Sequence, residues 1–145
     1  MTTINYRTFK LEDYDSLIKL WQLSGLPIKD QGRDSRIEIE KEMQRGCAEI
    51  ILAEDNSKMI GAILATHDGR KGWINRLSIH PDYRKLGIGK ELVKRAEDHL
   101  TKVGIGIFAC LIEDYNSTSL EVFRKLGYVD FEGMHYLTKR IHPDV

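Results

Sequence analysis

The stretch Arg84-Lys85-Leu86-Gly87-Ile88-Gly89-Lys90 sets the tightest limit on the fold, because it joins an apolar run at residues 73–79 to a helical pattern. Ile88, Leu92, Val93, Ala96, Leu100 and Val103 recur at helical spacing, so the turn must deliver its backbone into the first turn of an amphipathic helix. A helix start leaves about four amides without intrahelical acceptors and carries roughly half a positive charge, which favours an anion there. Gly87 and Gly89 permit positive φ or close approach of a ligand to the main chain, and Arg84, Lys85 and Lys90 add charge-assisted donors. Phosphate suits such a seat. The same residues also fit a plain helix entry with a tight bend.

Two phosphate motifs fail on spacing. No glycine is followed, four residues on, by Gly-Lys-Ser/Thr, and the third glycine of a dinucleotide fingerprint is replaced by Leu92. What remains is Arg-x-x-Gly-x-Gly after His80-Pro81-Asp82-Tyr83. From Leu77 to Gly89 this resembles the acyl-CoA loop of the GNAT family of N-acetyltransferases, Gln/Arg-x-x-Gly-x-Gly/Ala after a strand ending in a Val/Ile-x-Pro-like turn. A second segment follows in order. Asn116 and then Phe123-Arg124-Lys125-Leu126-Gly127-Tyr128 resemble the family's Asn-x6-Tyr-x-x-x-Gly-Phe. The resemblance runs from Tyr6 to about Ile141, and is closest to small prokaryotic members.

The resemblance implies an α/β (mixed) fold: a splayed, mostly antiparallel sheet of six to seven strands flanked by about four helices. It also implies acetyl transfer from acetyl-CoA to a primary amine, direct within a ternary complex. The rival reading is a catalytically weak acyl-CoA-binding module of the same fold. Carried over by position, Leu77, Ser78, Ile79, Arg84, Lys85, Leu86, Gly87, Ile88, Gly89, Lys90, Asn116 and Phe123 would bind the cofactor. No metal is implied.

At 145 residues the chain suits one domain, 1–145, with no need of staples. Lys+Arg and Asp+Glu both number 22, so no global field recruits nucleic acid or an anionic membrane. Charge is local instead. Residues 84–102 hold six basic and three acidic side chains, whereas residues 10–60 hold eight basic and eleven acidic. That suits a polyanionic cofactor at the helix and, less directly, a cationic substrate near the N-terminal half. Cys47 and Cys110 lack metal or CxxC spacing and read as buried free thiols, and residues 1–5 carry no leader pattern, so a cytoplasmic protein is expected. Monomer and homodimer both remain open.

Along the chain, Ile4, Tyr6 and Thr8 predict an opening strand, and Leu11, Tyr14, Leu17, Ile18 and Trp21 a helix ending near Gly25. Ser35-x-x-Glu38 opens a second helix that stops at Gly46. Residues 47–53 and 58–66 predict a hairpin, followed by a strand at 73–79 and the long helix at 88–103. Residues 105–112 read as a strand covered on both faces, Asn116 as the cap of a last helix stopped at Gly127, and residues 128–131 and 134–141 as a closing strand pair around Gly133.

Acyl transfer to an amine needs three things. A fixed donor must meet the carbonyl oxygen as it gains charge, and the resemblance assigns this to the backbone N–H of Leu77 or Ile79. The amine must lose a proton, since a lysine-like amine of pKa about 10.4 is almost wholly charged at neutral pH. Many family members carry a Glu on this strand, but Trp73-Ile74-Asn75-Arg76 has none, leaving Glu113, Asp114, His67 and Asp68. The leaving thiolate, third, can take a proton from an acid. Phe123 stands where the family commonly has Tyr, so Tyr115, Tyr128 or water are the substitutes. Ile79, Glu113 and Tyr115 are the expected catalytic set, with a small-molecule or peptide amine as acceptor.

Overall fold

A computed structural model describes residues 3–145, so the reading of the first residues as leader-free lies, for Met1 and Thr2, outside the described chain. The alternation at the N-terminus forms β1 (Ile4–Thr8), antiparallel to β2 (Ala48–Asp55) with Tyr6 opposite Ala53. β2 turns into β3 (Lys58–His67) through Asn56 and Ser57, whose φ values of 48° and 69° are the left-handed pair that a two-residue hairpin requires. β4 (Gly72–Ile79) is antiparallel to β3, and β5 (Phe108–Ala109) is parallel to β4, giving the order β1-β2-β3-β4-β5.

Among the described residues four α-helices cover the sheet: α1 (Tyr14–Leu23), α2 (Arg36–Gln44), α3 (Ile88–Lys102) and α4 (Ser117–Lys125). Ser35 caps α2 by accepting the Glu38 amide at 3.2 Å, and Asn116 caps α4 by accepting the Ser119 amide at 3.2 Å. Ile50, Ile51, Leu52 and Ala53 are all buried because alternate side chains of β2 enter two different cores. Ile51 and Ala53 meet Leu92, Val93, Ala96 and Leu100 of α3, while Ile50 and Leu52 meet Leu17, Leu20 and Trp21 of α1. Gly72 and Gly61 seat α3 closely. A Cβ at Gly72 would lie 2.7 Å from Leu100, and one at Gly61 3.1 Å from Leu92. That seating fixes the start of α3 beside the C-terminal end of β4.

Two expectations are corrected. The sheet has five strands among the described residues, not six to seven, and residues 105–112 contribute a ladder of only Phe108 and Ala109. The cause is a bulge in β4. Leu64 pairs with Asn75 and Ala62 with Ser78, so Arg76 and Leu77 together oppose Ile63, and a bulged strand bends away from its neighbour. β5 therefore loses β4 after Trp73, and the two strands splay. The closing strand pair at 128–131 and 134–141 is not formed either. A two-residue β5 gives too short a ladder to template another strand, and Phe131, Tyr136 and Ile141 remain exposed.

Candidate active site

β4 runs through a 3₁₀ turn at Pro81–Tyr83 into the glycine loop. Gly87 is the N-cap of α3 at φ 80°, and Lys85 also adopts the left-handed region at φ 63°, a conformation that costs a non-glycine residue ~1–2 kcal/mol. The first amide of the helix with a main-chain acceptor is that of Glu91, which donates to the Gly87 carbonyl at 3.1 Å. Among the described residues the amides of Gly87, Ile88, Gly89 and Lys90 meet no acceptor. Among the described residues, little stands close to the two glycines. A Cβ on Gly89 would touch only Leu77 Cδ2, at 3.7 Å, and one on Gly87 nothing within 4 Å. Arg84, Lys85 and Lys90 are exposed around this cradle, which can hold a diphosphate.

The cradle adjoins the splay. His80 N–H donates to the Ile60 carbonyl at 2.8 Å, so the alternation of an extended strand turns the amides of Ile79 and Leu77 toward the opposite edge of β4, where β5 has left. In that opening lies a cavity of about 100 Å³ lined by Asn75, Arg76 and Leu77 of β4, by Leu111 to Glu113, and by Tyr115, Asn116 and Phe123. Its far wall is Leu26 and Pro27, from the segment between α1 and α2.

Arg76 is the residue that joins the walls. At φ 55° it occupies the bulge in a left-handed conformation. Its Nη2 donates to Asp34 Oδ2 at 3.0 Å, its Nη1 donates to the Pro27 carbonyl at 2.8 Å, and its guanidinium stacks over Trp21 at 4.7 Å. Burial disfavours its charged form, with Asp34 opposing that effect. Burial likewise raises the Glu42 carboxyl, which lies within electrostatic reach of Asp34 and Arg76.

The sequence profile of the Acetyltransferase (GNAT) family matches residues 14–128. The chain belongs to the GNAT acetyltransferase family. Solved members share its fold at low identity. A predicted acetyltransferase of Clostridium acetobutylicum, solved with acetyl-CoA, is 18% identical with a TM-score of 0.77, over 94% of this chain and 96% of that one. The PaiA N-acetyltransferase of Thermoplasma acidophilum, solved with coenzyme A, is 24% identical with a TM-score of 0.77, over 90% and 94%. AAC(6')-Iy, solved with the bisubstrate analogue CoA-S-monomethyl-acetylneamine, is 20% identical with a TM-score of 0.77, over 95% and 99%.

The GNAT chain brings many of its expected site residues together. Leu77, Glu113, Tyr115, Asn116 and Phe123 line one cavity, while Arg84 to Lys90 form the cradle beside it. Ser78 is buried and its Oγ donates to the Ala62 carbonyl at 3.5 Å, on the β3 side of the strand. Asn116 Oδ1 is taken by its cap. Phe123 is 4% exposed and packs edge-on against Tyr128 at 4.9 Å.

Other candidates are elsewhere. His67 and Asp68 hold their own turn, accepting the amides of Gly69, Arg70 and Lys71, at the Gly72 end of β4 and roughly 20 Å from Ile79 by the ~3.3 Å rise of a strand. Tyr128 donates its hydroxyl to Glu97 at 2.6 Å, and burial followed by that bond raises its pKa, so this group is no ready acid. Cys110 is pushed up to about 11 by burial and by Asp130, far from a thiolate at neutral pH. The acidic bias of the N-terminal half has a structural use: Asp13 and Glu54 bind Arg7, Asp34 binds Arg76, and Asp55 accepts from Tyr83. Asp34, Trp21 and Arg76 were not legible as a unit, because the loop that carries Asp34 has no pattern and the bulge has no sequence mark. Among the described residues, no group of three His, Cys, Asp or Glu is placed to hold a metal, and no helix is long and apolar enough to cross a membrane.

Proposed function

We propose that this chain transfers an acetyl group from acetyl-CoA to a primary amine, directly and within a ternary complex. The observation that carries the reading is the row of four acceptor-less amides at the start of α3, opening beside the splay of β4 and β5. When bound, acetyl-CoA supplies the activated acyl group. Every other requirement falls on the chain. The amides of Gly87 to Lys90, with Arg84, Lys85 and Lys90, neutralise the diphosphate and fix its position. The amide of Leu77 or Ile79 donates to the carbonyl oxygen as it gains charge, a bond of the kind whose removal typically costs about 3 kcal/mol of barrier. Glu113 takes the ammonium proton, directly or through water, and Tyr115 returns a proton to sulfur; both are exposed on the cavity rim, where bound ligands would bury them. The raised thiol of Cys110 favours direct attack by the amine over an acyl-cysteine route. Cys47, whose carbonyl accepts the His67 amide, stands at the opposite end of the sheet.

Melting curves with millimolar coenzyme A test the binding step. Ligand at a hundredfold its dissociation constant adds about 2.7 kcal/mol, and an unchanged melting temperature removes the basis of the reading. A second reading, an acyl-CoA-binding module with little turnover, is favoured by the buried Phe123 at the family's acid position. Phe123→Tyr separates the two. Under the enzyme reading it leaves coenzyme A affinity unchanged and raises turnover modestly, because protonating a thiolate of pKa about 8.5 near neutrality is worth at most ~2 kcal/mol. Tight coenzyme A binding without turnover in either protein supports the module.

A further inference from the structure

Arg76 holds more donors than the protein uses. A guanidinium presents five N–H groups in a planar fork. Asp34 and Pro27 take one each, leaving Nε–H and one N–H on each terminal nitrogen without a protein acceptor among the described residues. The side chain is still 16% exposed, and Arg76 lines the cavity at the splay. Its partner is shared as well. Asp34 Oδ2 also accepts the Lys29 amide at 2.8 Å, so the carboxylate does not serve Arg76 alone. The downward push on the Arg76 pKa comes first from burial, with Asp34 and Glu42 acting against it. The guanidinium is rigid too, stacked on Trp21 and tied to two segments, so little rotamer entropy is lost when an anion docks.

The lining carries both signs of charge. Arg76 is its basic side chain and Glu113 its acidic one. About 100 Å³ holds roughly three waters at ~30 Å³ each, which fits a small head group. Of the eleven acids in residues 10–60, Asp13 and Glu54 pair with Arg7, Asp34 with Arg76, and Asp55 accepts from Tyr83.

We infer that Arg76 determines acceptor specificity and that the amine substrate is a small amino-carboxylate, its carboxylate on the free edge of the guanidinium and its amine toward Glu113. This rests on the acetyl-transfer reading above. The N–H groups that Asp34 and Pro27 leave free can donate to a carboxylate without breaking the clamp, whereas an amine bearing a second cation meets Arg76 with like charge.

The test compares matched acceptors by thiol release from acetyl-CoA: glycine with glycinamide, alanine with alaninamide, and β-alanine with its amide, beside a diamine and an aminoglycoside. Rates are corrected for the free-amine fraction at each pH. The carboxylates should exceed their amides at least tenfold in kcat/KM. Arg76→Gln should bring that ratio close to one by raising KM for the carboxylates, with kcat little changed, and Arg76→Lys should keep part of it. If these variants fail to fold, the wild type decides alone: N-acetylglycine should compete with the amine substrate, and N-acetylglycinamide should not. Equal use of amides, or preference for the diamine or aminoglycoside, overturns the inference while leaving acetyl transfer intact. Thiol release with none of the amines, from protein that still binds coenzyme A, removes the transfer reading and this inference with it.

Discussion

Gly89 offers the sharpest test at the scale of a single residue. It lies in the first turn of α3 with ordinary helical φ, and a methyl group there would meet only Leu77, at an unstrained 3.7 Å. The protein therefore has no packing reason for glycine at this position, and alanine is better in a helix by roughly 0.5–1 kcal/mol. Gly89→Ala, the alternative the family motif itself allows, should leave the melting temperature of the free protein unchanged or slightly raised and keep the shift produced by coenzyme A, whereas Gly89→Val should remove most of that shift, because its branched side chain enters the diphosphate space. Differential scanning fluorimetry with and without ligand reads both effects. A full ligand shift in the valine variant would show that the glycine only shapes the bend. Gly87 differs, since its φ of 80° already demands glycine for backbone reasons. Sequence alone marked the two glycines alike, because φ is not written in a residue name.

At the scale of elements, Arg7 ties three of them together. From β1 it donates to Glu54 on β2 at 2.7 Å and to both oxygens of Asp13, which ends the 3₁₀ turn before α1. The Arg7 guanidinium holds the Asp13 carboxyl below its ordinary value. A depressed carboxyl contributes stability that is fully present above the unfolded value of about 3.9 and is lost as pH falls through the lower folded value. Thermal melts from pH 6 to pH 2.5 should fall steeply below about pH 4. Arg7→Met should lower stability at pH 6 and flatten that acid limb; an acid limb identical to the wild type's would remove Arg7 as its cause. Elements with local signals were legible in the sequence: the cap at Ser35, the hairpin turn, the long stripe of α3 and the cap at Asn116. Residues 105–112 were not. Their apolar run promised a long strand, but a distant bulge at Arg76 ended its ladder after Ala109, and pairing of that kind depends on a neighbour that no local pattern records.

For the whole molecule, the plan is a sheet opened on one side by the β4 bulge, with a helix start set beside the opening. The helix start was legible because a tight entry with free amides needs a fixed string of small and basic residues. The wall opposite was not, since Leu26, Pro27, Asp34 and Arg76 come from separate segments and meet only through the fold. The chain's last segment, with Phe131, Tyr136 and Ile141 exposed, shows the same limit, because its apolar residues promised strands that found no edge to join. The central claim is direct acetyl transfer between two bound substrates. Initial rates of thiol release with acetyl-CoA and a small amino-carboxylate varied together test it most directly. Intersecting double-reciprocal lines are predicted, with release falling to a hydrolytic background when the amine is left out. Parallel lines, the mark of an acyl-enzyme, or release that ignores the amine would contradict the account.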